Sequence, residues 1–503
     1  MTEAVLAIDI GTGSARAGLV GINGEILALQ SVAHDTRYPH HGWVEQAPEI
    51  WWRGACEAIY AVAQQSKIDG ISIIAAVSCG QTHAPVLLDE GGKLLTPYVS
   101  LWNDKRAEAQ VHHFRQRPDY DELHALTGNP AAPSWPAFKL AWYSENEPEI
   151  LSATHVVLMP KDFINYRLTG ECAADRTEAG YSYLYESNTE QWSDRLCRKF
   201  DLPRRILPEL RNPDDVVGYV SAAAAEVTGL PTGLPVVVGA GDYPAAVLGS
   251  GVFSAGQVSD ITGTSSLMSL VTQRPLVDEN IMNAASAADG WLAFTILDAA
   301  GDSVRWGRRQ LEDNAIDLAT LTERAGKIDP GADGLLFLPY LTGERIGHGP
   351  SSRGAFVGLT ADHDKSHMHR AITEGIAMGM RSAVEPLFSK GGKPEFIISA
   401  GGGAYSRLLL EIKASVFRIP YVPVVQVECG LLGGASLVFS ALGRFSTVGA
   451  AAKHLAKYHE PIRPDPVLAD RYEALYEVFS EVRNALRAAN NQLSLFAAQT
   501  SNS

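Results

Sequence analysis

Three glycine-rich stretches of this chain carry residues that could do chemistry together. Val236-Val-Val-Gly-Ala-Gly-Asp-Tyr-Pro-Ala-Ala246 lies near the middle. Its β-branched run reads as a buried strand, and Gly239 and Gly241 allow a tight turn or a close approach to a ligand. Asp242 follows at the strand's carboxyl end, where ligands of open α/β sheets gather, so it is a site candidate. A plain helix cap or Asx turn is the competing reading. The second stretch, Asp9-Ile-Gly-Thr-Gly-Ser14, turns one strand back on another. Its backbone N–H groups suit a phosphate and Asp9 suits Mg²⁺, directly or through water. The alternative there is an ordinary hairpin with an acid at a strand end. The third, Ala400-Gly-Gly-Gly-Ala404, leads into a helix starting near Ser406 or Arg407. A helix N-terminus approached through glycines suits a nucleotide, although idle turns use triple glycine too.

The elements that hold these stretches follow from periodicity. Val5 to Asp9, Ala15 to Val20 and Ile26 to Val32 read as strands, the last two joined at Asn23-Gly24. A dinucleotide-binding loop joins a strand to a helix and carries a third glycine; here two antiparallel strands are joined and Arg16 stands in that place. No G-x-x-x-x-G-K-[S/T] occurs either. A helix is predicted from Pro48 through Trp51-Trp52 to about Gln65, then a strand from Ile71 to Val77 leading to Cys79-Gly-Gln-Thr-His83. Leu101 to Arg106 reads as the start of a charged helical segment. From Gln257 the pattern returns: strand, the turn Thr262-Gly-Thr-Ser265, and a strand from Ser266 to Thr272. Asp260-Ile-Thr-Gly-Thr-Ser265 is a weak echo of Asp9 to Ser14 and hints at two related halves. Cys429 to Gly443 reads as a buried helix, and Leu475, Phe479, Val482 and Leu486 mark an amphipathic one. His363, His367 and His369 read as a solvated helix start rather than a metal site.

With 503 residues the chain is expected to form at least two domains. A formal charge of −15 argues against a nucleic-acid groove or an anionic membrane surface as partner, and no stretch is long and apolar enough to span a bilayer. No basic leader precedes the first strand, and five scattered cysteines without a C-x-x-C pair fit reduced thiols. The expected location is cytoplasmic.

Taken in order from Val5 to about Gly443, these pieces resemble the FGGY carbohydrate kinase family, and within it the xylulokinase branch. Asp9 to Ser14 looks like the family's first phosphate motif, Gly263-Thr-Ser265 like the second and Gly401-Gly-Gly403 like the adenosine motif. Gly42-Trp-Val-Glu-Gln46, Gln81-Thr-His83, Leu101-Trp-Asn-Asp104 with Arg106, and Met159-Pro-Lys-Asp162 are similar to sugar-site segments. Pro136-x-x-Lys139-Leu-x-Trp142 and Gly354 to Glu374 resemble the family signatures. The resemblance implies an α/β fold of two ribonuclease-H-like domains of the actin/hexokinase/Hsp70 ATPase type, with an interdomain cleft. Residues 1–250 would bind sugar and supply the base, 251–490 would hold most of the nucleotide, and 491–503 would fray.

It also implies roles. Asp242 would be the general base. Gln81, Thr82, His83, Asn103, Asp104, Arg106, Asp242 and Tyr243 would line the sugar. Gly11, Thr12, Gly13, Ser14 and Arg16 from one half, and Gly263, Thr264, Ser265, Gly301, Gly402, Gly403, Ala404 and Ser406 from the other, would hold ATP. Asp9 and Asp242 would hold Mg²⁺. The partners are a small sugar and ATP, and a homodimer stays open. The implied reaction is ATP-dependent phosphorylation of a ketopentose such as D-xylulose, with ribulose, another ketose or erythritol as alternatives. An actin- or chaperone-like ATPase switch is the reading from another class. Thr82, Tyr243 and the segment Ala174-Asp-Arg-Thr-Glu-Ala-Gly180 depart from the usual xylulokinase pattern, so these positions bear on the choice of sugar.

Overall fold

The computed structural model describes residues 2–312, 316–345 and 347–501. Its first sheet begins with the meander Thr2–Ile10, Ser14–Gly21 and Ile26–Ala33. Ile71–Gly80 pairs parallel to the first strand and Pro235–Val237 parallel to that one, with Val216–Tyr219 antiparallel at the edge. The central strand is buried on both faces from Ala4 to Ile10, which is why it reads as a continuous apolar run. The helix Pro48–Ile68, opened by its first-turn proline, packs Trp51, Ala55 and Ile59 into the core beneath this sheet.

The second sheet repeats the plan. Val258–Thr262, Ser266–Thr272 and Trp291–Leu297 form the meander. Ile397–Ala400 pairs parallel to the first of these and Tyr421–Pro423 parallel to Ile397–Ala400, with Met282–Ala285 at the edge. In both sheets the third, second, first, fourth and fifth core strands lie side by side in that order. The six-residue echo in the sequence is thus the visible part of a repeated topology.

Two short-range contacts tie the halves together. The helix Asp242–Gly249 follows the last parallel strand of the first sheet, and the helix Cys429–Ala441 follows that of the second. They touch backbone to backbone: a Cβ on Gly433 would lie 1.9 Å from the carbonyl oxygen of Ala245, and one on Gly249 would lie 1.8 Å from that of Cys429. Leu431, Leu432 and Ala435 of the second helix share a core with Val5, Ala7 and Val77 of the first sheet. The run expected to be a buried helix is therefore buried against the first sheet.

Elsewhere the structure departs from the sequence reading. Leu101 to Arg106 forms turns rather than a helix, which begins only at Glu108. His367 forms a reciprocal cap with Asp364 at the start of the helix Lys365–Gly391, while His369 faces Glu312 at 3.4 Å. Among the described residues no group of three or more His, Cys, Asp or Glu is arranged to hold a metal. The amphipathic helix spans Pro466–Ala485 with Phe479 fully buried. A further helix, Arg487–Ser501, occupies most of the stretch expected to fray; Asn502 and Ser503 lie outside the described residues. All five cysteines are free thiols. Among the described residues no helix is long and apolar enough to cross a membrane.

Candidate active site

The first turn is accessible and roomy. Gly11 accepts its shape from a bond of its N–H to the Ser14 carbonyl at 3.0 Å, and a Cβ on Gly13 would meet no atom within 4 Å. A ligand can therefore lie against this backbone. Arg16, directly across the hairpin from Asp9, bonds Asp9 through Nη2 and Glu428 through Nη1 at 2.7 Å. Asp9 itself is 5% exposed.

Asp242 opens its helix, which places it at the positive end of the helix dipole. Gly241 before it cannot carry a side chain, since a Cβ would come within 2.7 Å of Thr82 Cγ2; Gly239 has φ +80° and its Cβ would strike the Ser78 carbonyl oxygen at 1.8 Å. The chain is thus forced to deliver Asp242 at one place, part-buried beside Asp9. Burial and the Asp9 charge push its carboxyl up to about 7, against the pull of the Tyr243 N–H, 2.7 Å from Oδ1, and of Arg16. A carboxyl that loses its proton near neutrality is suited to taking one from an alcohol.

A polar network runs from the first turn into the neighbouring pocket wall. Trp102 Nε1 donates to Thr12 Oγ1 at 3.1 Å, Thr12 Oγ1 to Gln81 Oε1 at 3.4 Å, and Gln81 Nε2 to Gln46 Oε1 at 3.0 Å. Gln46 returns to the Thr12 carbonyl at 2.6 Å. His83 has φ +68°, a left-handed conformation costly for a residue with a Cβ. It is held there by Lys139, whose buried Nζ donates to the carbonyls of His83, Leu101 and Ser100 at 2.6, 2.5 and 3.3 Å. The His83 ring sits edge-on to Trp135 and Tyr181, and its Nδ1 is buried without a partner. Burial, with the charges of Lys139 and Arg345, holds this imidazole neutral.

Of four further expected sugar ligands, two are engaged by protein groups, Asn103 is exposed, and Tyr243 keeps a buried hydroxyl without a partner among the described residues. Asp104 is a correction: Oδ1 accepts from Arg106 N and Nε, and Oδ2 from Val44 N and Arg106 Nη2, at 2.7–2.9 Å, which uses every lone pair of the carboxylate. Arg106 is a second correction, for it also bonds Glu45 at 2.7 Å and lies 3.8 Å over Trp43, so it clamps the wall together. Asn103 is exposed at the tip of the same turn. Tyr243 turns its ring onto Phe294 of the second sheet, 5.2 Å between centres, and joins the core between the halves. Arg176 likewise pairs with Glu190 and the Gly290 carbonyl, in a surface recess with Tyr185, Arg211 and Asp215.

The second half offers its own turns. Gly263, Thr264 and Gly402 are exposed, and Cβ atoms on Gly263 or Gly402 would meet nothing. Gly301 begins the helix Gly301–Leu311 pressed onto this turn, its Cβ position 2.1 Å from the Gly263 carbonyl oxygen. Gly401, at φ +72°, and Gly403 lie against Thr262. Ala404 ends the same glycine loop, and Ser406 caps the helix Arg407–Phe417. Ser265 closes the turn by accepting from the Gly263 N–H at 2.8 Å. Beneath it Lys413, fully buried, bonds Asp260 at 2.7 Å and Thr262 at 2.8 Å, and Ser266 bonds Asp260 at 2.8 Å. Sequence reasoning missed Lys413, Glu428, Lys139's role and Arg345. Lys139 stood within a family signature, and Lys413 left a signal as the one cation between Leu408 and Val416.

The sequence matches the N-terminal domain of the FGGY family of carbohydrate kinases over residues 4–249 and its C-terminal domain over residues 259–442. It is 30% identical to a xylulose kinase of Lactococcus lactis over 97% of this chain and 98% of that protein. It is also 30% identical to a xylulose kinase of Escherichia coli, over 82% of this chain and 84% of the other. Among solved structures, a xylulose kinase from Rhodospirillum rubrum superposes with a TM-score of 0.89 at 29% identity, covering 97% and 100% of the two chains. A gluconate kinase from Lactobacillus acidophilus gives 0.90 at 26%, covering 98% and 100%. A two-domain α/β fold with paired phosphate-type turns and a sequence matched along nearly its whole length lead to one conclusion: the chain belongs to the FGGY family of carbohydrate kinases and is an ATP-dependent sugar kinase.

Proposed function

We propose that this kinase phosphorylates a ketopentose, with D-xylulose the first candidate and the 5-phosphate its product, and that Asp242 is the general base. The observation that carries the reading is the Asp242 carboxyl, pushed up to about 7 by burial and by Asp9, the acid that opens the first phosphate-type turn. The names of the similar xylulose kinases support the choice of sugar.

On this reading the turns Gly11–Ser14 and Gly263–Ser265 present to the phosphates of ATP the N–H groups that they do not use to close themselves, while Gly402, Gly403 and the Ser406 cap flank the rest of the nucleotide. Phosphoryl transfer then asks the protein for in-line positioning and charge neutralisation. Arg16 supplies one fixed cation. Gln81, Thr82 and neutral His83 orient the sugar so that one hydroxyl faces Asp242, which takes its proton as the new P–O bond forms and the bond from the γ-phosphorus to the leaving ADP oxygen breaks. Asp9 and Asp242, two carboxylates close enough to feel each other, fit a divalent cation shared with phosphate oxygens; Mg²⁺ there would neutralise charge on the nucleotide. Free thiols throughout suit a cytoplasmic enzyme.

The test is ADP release with ATP and Mg²⁺ over D-xylulose, D-ribulose, erythritol and D-gluconate. Turnover with D-xylulose at least about tenfold above the rest supports the assignment. A preference for gluconate or erythritol replaces the ketopentose and keeps the kinase.

A further inference from the structure

Arg345 crosses from the second half to the first. Its backbone N–H and its Nε donate to the two oxygens of Asp298 at 3.0 and 2.7 Å, a two-point anchor. Its guanidinium carbon lies 4.6 Å from the centre of the Trp102 ring, the residue whose Nε1 bonds Thr12 in the first turn. Asp298 stands three residues before Gly301, whose helix rests on the Gly263 turn. One side chain is therefore fixed to the nucleotide-side framework at its stem and to the sugar-side wall at its tip.

The anchor leaves donors over. Among the described residues neither Nη nitrogen of Arg345 has a protein acceptor, and the side chain is 42% exposed. A cation–π contact alone fixes the tip of an arginine but does not explain a carboxylate that uses both oxygens to hold its stem. His83, buried nearby with an unpartnered Nδ1, feels the same positive charge. Two spare donors on a rigid planar fork suit a neutral ligand rich in oxygen.

We propose that Arg345 is a sugar-binding residue supplied by the nucleotide half, its Nη groups donating to hydroxyl oxygens of the acceptor beside His83. The inference rests on the kinase reading above and adds to it that the sugar site is complete only when both halves contribute. Arg345 then favours the assembled cleft when sugar is present, because its bonds to the sugar exist only with the halves together.

The experiment compares Arg345→Met, Arg345→Lys and Trp102→Phe with the parent chain. Kinetics use the best sugar of the four named above, and calorimetry follows binding of each of the four without nucleotide. Arg345→Met is expected to raise the sugar KM and Kd by about tenfold or more, the scale of losing charged hydrogen bonds, with the ATP KM within about twofold. Lysine should recover part of the loss, and Trp102→Phe, which releases Thr12 but keeps the ring under the guanidinium, should raise the sugar KM less than Arg345→Met does. An unchanged sugar KM overturns the proposal, and so does an ATP KM that rises as much as the sugar KM. A parent chain that binds a sugar without transferring phosphate to any of the four defeats the ketopentose assignment while Arg345 is still read from binding. One that binds none of them defeats both.

Discussion

Arg16 Nη1 donates to Glu428 Oε2 at 2.7 Å, a bond between residues 412 positions apart. The same guanidinium holds Asp9 and its charge extends to Asp242, so a single cation stands among three acids drawn from both halves. Without it, the Asp9 charge would raise the Asp242 carboxyl further, opposed only by the Tyr243 N–H.

The Asp242→Asn variant keeps the shape of the site and removes the proposed base. Turnover should fall by about a hundredfold or more, with the sugar KM changed little. Parent-like turnover would remove Asp242 from the chemistry.

The same substitution has a signed effect on stability. The folded carboxyl titrates near 7, above its ordinary value of 3.8. As pH rises between those values the unfolded chain ionises first, so the parent loses stability across this window and carries the full penalty above it. Asp242→Asn should therefore melt higher than the parent at pH 8, and at the same temperature near pH 3.5, in paired thermal scans. A buried carboxyl that costs stability at neutral pH is the expected trade if it serves function.

The activity profile should have an acid limb in kcat/KM near pH 7. Removing the cation in Arg16→Met should move that limb to higher pH, and removing the anion in Asp9→Asn should move it to lower pH. Both variants will be slow, since both residues stand at the nucleotide turn; the position of the limb is the readout. Shifts in the same direction would show that another group sets it.

Lys413 and Asp260 make a fully buried pair. Lys413→Met leaves Asp260 charged and unpaired and should destabilise the second half by about 3–5 kcal/mol, with a raised ATP KM as the Gly263 turn loosens. Adding Asp260→Asn should recover part of that stability. A double variant as damaged as the sum of two singles would mean the pair is not coupled.

Gly433→Ala tests whether the Cys429–Ala441 helix positions the Asp242 helix. The new methyl would sit 1.9 Å from the Ala245 carbonyl oxygen, so the helices must part. Expected outcomes are a loss of about 1–3 kcal/mol and a lower kcat with the acid limb displaced. Gly443→Ala, in a position with free space but φ +68°, should cost stability without touching the limb.

Several elements are legible in the residues alone. Ser266–Thr272 carries the bounds its alternation gives it, and the helix from Pro48 starts at the residue its proline marks. Both turns are readable because Gly, Thr and Ser stand together between two strand-forming runs. The charged segment Leu101 to Arg106 reads as helix because its composition permits one; instead Asp104 is consumed by Arg106 and Val44, and the backbone turns to let it. Counting charges near a motif as ligands fails for the same reason. A carboxylate's lone pairs are spent by neighbours that sequence spacing does not reveal.

The strands, the glycine turns, the capped helices and the acids at their ends can be read from the chain, because they follow from interactions within a few residues. What those acids can do depends on contacts between distant parts of the fold. Asp242 is a base candidate because Asp9 lies beside it and protein covers it, whereas Asp104 is a clamp because Arg106 saturates it. Desolvation and Coulomb energy depend on distance through space, and residues 9, 16, 242, 298, 345 and 428 acquire their distances only when two repeated sheets and a pair of glycine-packed helices bring them to one cleft.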